Sequence, residues 1–165
     1  MTTPDPAISH GLTVANLVEM TRADGDPWHF SHVQRLLKLI ALIGEGMVYD
    51  ETAVTIATYL HDWGAYPRYR QPGVEHAWRS RQIAETMILP RMDLPETAVA
   101  TILEAVEFHD YRDFRPVTSS EALLLREKIQ DRFTLPIARQ IAEVRLARLA
   151  QCLAWLHEES FTSET

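Results

Sequence analysis

The stretch ETAVTIATYLHDWG, residues 51–64, decides how the chain is read. Its apolar residues recur at helical spacing, and Gly64 stands where glycine commonly stops a helix. At its end His61 and Asp62, two strong metal-binding side chains, lie next to each other. Adjacent helical positions diverge by about 100°. A long imidazole and a short carboxylate can still meet on one ion in the groove in front of the helix. A His-Asp pair alone proves little, because helix ends tolerate polar groups. Its meaning depends on what the rest of the chain supplies.

Outward from this stretch the periodicity stays helical. A first helix is expected over about 8–22. A second starts near Trp28 and runs through FSHVQRLLKLIALIGEG, with Val33, Leu36, Leu37, Ile40 and Ile43 on one face. The third covers about 50–63, the fourth about 74 to Pro90. The fifth runs from Pro95, a favourable first-turn residue, to His109. A sixth follows Ser119 or Ser120 through EALLLREKIQ, and a seventh spans about 135–158. No strand alternation is visible. The expected class is all-α, one domain of six to eight helices over residues 1–165. Its core lies at about 26–140, and the N-terminal and long C-terminal helices pack on it.

Composition narrows the function. The 165 residues suffice for one domain with a real core, and 46% hydrophobic with 24% charged residues is ordinary for a globular protein. A net charge of −7 argues against a partner such as a large nucleic acid, which needs a basic face. It leaves room for a small phosphorylated substrate held by a local arginine cluster. Lys38 and Lys128 are the only lysines; the other basic residues are arginines. Cys152 is the single cysteine, which excludes an internal disulfide and reads as a small buried hydrophobe. The first ten residues show no signal-peptide pattern, and no run reaches the roughly 20 apolar residues of a membrane helix. A cytoplasmic location with no membrane partner is therefore expected, with a homo-oligomer left open. Trp28 and Trp155 read as core. Trp63 and Trp78 stand beside site candidates and read as packing residues that could also wall a pocket.

Of seven histidines, His10 and His157 lie near the termini and read as solvent-exposed. His32 shares a helix face with Arg35. His76 opens the fourth helix in EHAWRS, and His109 closes the fifth in AVEFH. Taken singly, each reads as a capping or core histidine. Together they are several sites at helix ends, each beside an apolar stripe, which a helical bundle can bring to one cavity. Imidazole and carboxylate together suit Mn, Fe, Co, Ni or Zn better than an all-oxygen set would.

This ordered set resembles the HD superfamily of metal-dependent phosphohydrolases. The elements are HVQRLL with His32, YLHDWG with His61 and Asp62, EHAWRS with His76, ILEAVEFHD with His109, and SSEALLLREK with Glu127. The resemblance covers about residues 26–140. It implies a divalent metal cofactor, Mn, Fe, Co, Ni, Zn or Mg, held by His32, His61, Asp62 and a late acidic residue. It implies that His76 and His109 line the phosphate pocket or bind a second ion. Asp62 would also orient the attacking water, Arg35 would orient the site or contact substrate, and His76, His109 and Arg79 would meet the phosphate. Two positions depart from the family pattern. Glu127 stands where many members have aspartate, with Asp131 one turn further on as the alternative. Ala65 stands where many have a lysine or arginine, a charge that Arg68, Arg70 or Arg79 could supply. The implied function is hydrolysis of a small phosphate ester, nucleotides included. The alternatives are an HD-fold module that binds metal or nucleotide in regulation, and a helical interaction domain with structural histidines.

Overall fold

A computed structural model describes residues 11–110, 112–126 and 135–162. Among them are seven α-helices and no strand, so the all-α expectation holds. The chain divides into two compact units, Met1–Arg126 and Glu127–Thr165. No helix among the described residues is long and apolar enough to cross a membrane.

The first unit is built around α3 (Glu51–Leu60), which touches α1 (Val14–Asp24), α2 (Pro27–Ile43), α5 (Glu96–Glu107) and α6 (Ser120–Arg126). That position explains its composition. Ala53, Val54 and the whole run from Ile56 to Leu60 are buried, so the helix is apolar on nearly all sides. The Asp50 side chain accepts from the backbone of Thr52 and Ala53, which fixes where α3 starts. In turn the Asp50 N–H donates to the Glu121 carboxylate and ties that start to α6.

The neighbouring helices begin where their caps dictate. Thr13 and Asn16 form a reciprocal capping pair, so α1 starts at Val14, later than periodicity alone suggests. Asp26 caps α2, with Pro27 at its first position, and Val33, Leu36, Ile40 and Ile43 form the buried face. Pro95 proves to be the residue capping α5 rather than its first helical residue.

The fourth predicted helix has the right extent but not one geometry. Its α-helical part, α4, covers His76–Ile83. It continues as a π-turn over Ala84–Ile88 and a 3-10 turn over Leu89–Arg91. Pro90 has no N–H to return to the residue four back, and its ring crowds that carbonyl, so the regular ladder cannot continue.

Two tryptophans part ways. Trp63 is fully buried and its indole N–H donates to Thr21 Oγ1 at 3.2 Å, as its core reading requires. Trp28, expected in the core, is 62% exposed. It lies one turn before His32 on the same face of α2, and the two rings stack at 5.3 Å with planes 8° apart. In the second unit, α7 (Pro136–Thr162) carries exposed Ile137, Val144 and Leu146. The side chains of Cys152, Trp155 and His157, and all of His10, Glu127 and Asp131, lie outside the described residues.

Candidate metal centre

The buried end of α3 hands the chain into His61 and Asp62, and a 3-10 turn over Trp63–Ala65 reverses it. His61 is fully buried. Its Nδ1–H donates to the Thr58 carbonyl at 2.7 Å, a bond that one turn of helix supplies from the backbone alone. That commits the Nδ1 proton and turns Nε2 toward Asp62 Oδ2, 3.0 Å away. His109, just past the end of α5, repeats the device: Nδ1–H to the Val106 carbonyl at 2.6 Å, Nε2 to Asp62 Oδ1 at 3.4 Å.

The other two imidazoles come from different elements. His32 reaches in from α2, its Nε2 3.8 Å from Asp62 Oδ2. His76 is the first residue of α4, its Nε2 3.6 Å from Asp62 Oδ1. Glu75 before it has two tasks. One carboxylate oxygen accepts from the N–H groups of Ala77 and Trp78, capping α4. The other faces His76 Nδ1 at 2.6 Å and fixes the ring.

Four imidazoles thus surround one carboxylate, two on each oxygen. Among the described residues, His32, His61 and Asp62 form one group whose ligand atoms lie within 4.8 Å of one another. Asp62, His76 and His109 form a second, and Glu75, His76 and Asp110 a third. This donor set fits a divalent ion. Both His76 and His109 have Nδ1 on an acceptor, yet their Nε2 atoms stand 3.2 Å apart. Two lone pairs face each other there unless a proton or a cation lies between them. Burial pushes the Asp62 carboxyl up, but the imidazoles of His61 and His109 outweigh it and hold it well below the usual carboxylate range. Asp62 is therefore an anion in a mostly enclosed place, stabilised by the imidazoles around it.

The predicted site residues fall into three groups. His32, His61, Asp62, His76 and His109 come together. Arg35 sits exposed on α2, one turn beyond His32. Arg79 points its guanidinium at the Tyr69 carbonyl, 2.9 Å, and at Gln82, 3.3 Å, and so fastens the loop after the 3-10 turn to α4. Two further groups were not singled out from sequence. Asp110 places Oδ2 3.9 Å from His76 Nε2, and Arg112 holds it. Its signal was a second His-Asp dipeptide, His109-Asp110. Glu75 gave no signal beyond its place before His76.

The backbone course agrees with one solved structure, a predicted HD superfamily hydrolase from an uncultured Thermotogales bacterium. The match covers 88% of this chain and 90% of that one, with a TM-score of 0.69 and 24% identity. The fold is that of an HD domain. No family model and no curated protein matches the sequence. Within the HD-domain fold, the His-Asp pair that names it stands here at the end of the most buried helix, with the three other histidines gathered around its aspartate.

Proposed function

We propose that this chain is a divalent-metal-dependent phosphohydrolase that cleaves a small phosphate ester, with nucleotides among its substrates. The observation behind this reading is Asp62, which offers one oxygen to His32 and His61 and the other to His76 and His109. In this reading His32, His61 and Asp62 hold one ion. Asp62, His76 and His109 hold a second or meet the phosphate directly; Glu127, the late acidic ligand that the resemblance implies, lies outside the described residues. A bound divalent ion supplies a water acidified toward neutral pH and a Lewis acid for the phosphoryl oxygen.

The chain's own groups do the rest. The carbonyls of Thr58 and Val106 keep the Nδ1 protons of His61 and His109 in place, so each presents Nε2 inward. Where His76 and His109 are not engaged by an ion, their protonated rings offset charge on the phosphoryl oxygens, with Arg35, one turn from His32, as the assisting arginine. A cavity of about 650 Å³ opens beside His76, lined by Glu75, Trp78, Asp110, Arg112 and Phe114 among others. That volume suits a small organic group. Trp78, 43% exposed, offers a face on which a base can stack.

The test is phosphate release from a panel of nucleotides and simpler esters with Mn²⁺, Co²⁺ or Ni²⁺. Activity is expected with at least one ion and should vanish in His61→Ala. A folded, metal-loaded protein that releases phosphate from nothing on the panel refutes the proposal. The glutamate at position 127 favours a second reading, a module that binds metal or nucleotide without turnover. Under that reading ions bind, and fall in occupancy in Glu127→Ala or Asp131→Ala, while no ester is cleaved.

A further inference from the structure

We propose that Asp110 is an additional ligand for the ion at His76 and His109, and that Arg112 is an internal cation which that ion displaces. The inference rests on the metal-binding part of the function proposed above. His76 Nε2 has three donor atoms around it: His109 Nε2 at 3.2 Å, Asp62 Oδ1 at 3.6 Å and Asp110 Oδ2 at 3.9 Å. Ligand atoms about 2.1 Å from a common ion stand about 3–4 Å apart. Asp110 meets that spacing from His76, and with Glu75 and His76 it forms a group of donors within 4.8 Å of one another. Its carboxylate side chain is only 11% exposed, so it is held at the site rather than waving in solvent.

Charge gives the second reason. If two divalent ions share Asp62, the ion at His76 and His109 has only a part share of one carboxylate among the ligands assigned to it, and the imidazoles add no negative charge. A further anion beside the second ion is what the electrostatics require. Asp110 can supply it: its carboxylate lies beside His76 and is paired with Arg112.

Arg112 competes for this carboxylate. Its backbone N–H reaches Asp110 Oδ1 at 2.8 Å, its Nε reaches the two oxygens at 3.0 and 3.2 Å, and Nη2 closes on Oδ2. The guanidinium occupies the same carboxylate that the ion would use. A dication about 2 Å from Asp110 repels it. The Arg112 side chain is 64% exposed, so it can turn toward water when the ion takes its place on the carboxylate. Moved aside, it borders the 650 Å³ cavity as a cation able to take a phosphate oxygen.

The experiment is calorimetric titration of the full chain with Mn²⁺, with no substrate. Wild type should bind two ions. Asp110→Asn should weaken the second about tenfold or more and leave the first unchanged. Arg112→Ala should tighten the second several-fold, and the double variant should behave like Asp110→Asn alone. A wild type that binds one ion, or an Asp110→Asn that binds the second as tightly as wild type, overturns the proposal. So does an Arg112→Ala that weakens binding, since the guanidinium would then orient Asp110 instead of competing for it. If Asp110→Asn does not fold, the direction of the Arg112→Ala effect decides alone. A wild type that binds no Mn²⁺ at all is a different result, the failure of the metal-binding part of the proposed function.

Discussion

Gly64 lies directly against the first turn of α4: a methyl group built on its Cα would stand 2.2 Å from the His76 carbonyl oxygen and 2.7 Å from the Ser80 nitrogen. Both are backbone atoms and cannot swing away. The Gly64 N–H meanwhile donates to Ser80 Oγ at 2.8 Å, which draws the two segments together. Glycine here thus serves close approach, not helix ending: α3 stops at Leu60, before the expected Trp63, and Gly64 lies within the following 3-10 turn. It brings the turn that holds Asp62 up to the helix that starts with His76.

Gly64→Ala should therefore cost more than a surface change. Overpacking of this kind destabilises by about 1–3 kcal/mol, and rigid backbone neighbours put the expected value at the upper end. Urea unfolding checks the stability. The same variant should weaken binding at the His76 side of Asp62 more than at the His32 side. A Gly64→Ala protein as stable as wild type contradicts the close contact.

Substitutions in the cluster should be unequal. Asp62→Asn removes a ligand from both groups of donors, His32→Ala from one, and His109→Ala from the other. With Mn²⁺ at a hundred times its dissociation constant, one native-state site raises stability by about 2.7 kcal/mol. The metal-induced rise in unfolding midpoint should be abolished in Asp62→Asn and only reduced in His32→Ala and in His109→Ala. Equal losses in all three would show that the two sides are not separate.

His61, His76 and His109 were legible because each marks a helix end in order along the chain, and such ends can converge in a bundle; His32 lies inside α2 instead. Their mutual distances were not legible. No spacing along the sequence says that Asp62 sits between two pairs of imidazoles, since the pairs come from four different elements. Trp28 was misplaced for a related reason. Its apolar character suggested burial, but its position one turn before His32 gave it a ring to stack on at the surface. Glu75 and Asp110 escaped notice because a carboxylate reads as solvated until a partner is found for it. Arg79 had the right charge and neighbourhood, but the Tyr69 carbonyl takes up its guanidinium.

Tyr66 offers a test of polar burial. Its ring is fully buried beside Trp63 and His29, and its hydroxyl has no hydrogen-bond partner among the described residues. Burial raises its pKa, and the nearby charges of Asp62, Asp26 and Asp24 raise it further, so it stays a neutral phenol. A buried hydroxyl without a partner costs about 1–3 kcal/mol, offset by the packing its oxygen supplies. Tyr66→Phe should leave thermal stability unchanged or raise it by about 1 kcal/mol. A clear loss would mean that the hydroxyl is bonded, through water for example.

Glu104 sets an acid limit on the α5–α6 connection. Its carboxylate accepts from the N–H and hydroxyl of both Thr118 and Ser119, just before α6 begins. Burial pushes its carboxyl up, but these four donors outweigh it and the group lies below its ordinary value. A carboxyl depressed in the folded state adds stability that is fully present above its unfolded pKa, about 4.3, and fades as pH falls through the folded value. Glu104→Gln keeps the shape and removes the charge. It should lower stability by about 1–2 kcal/mol at neutral pH, the worth of a bond to a charged acceptor discounted for partial exposure. Below about pH 4 the gap between the two proteins should close, because wild-type Glu104 is then losing its charge as well. Denaturant unfolding across that range checks it. A gap that stays constant with pH would mean the two side chains differ by packing alone and that the charge on Glu104 contributes nothing to the connection.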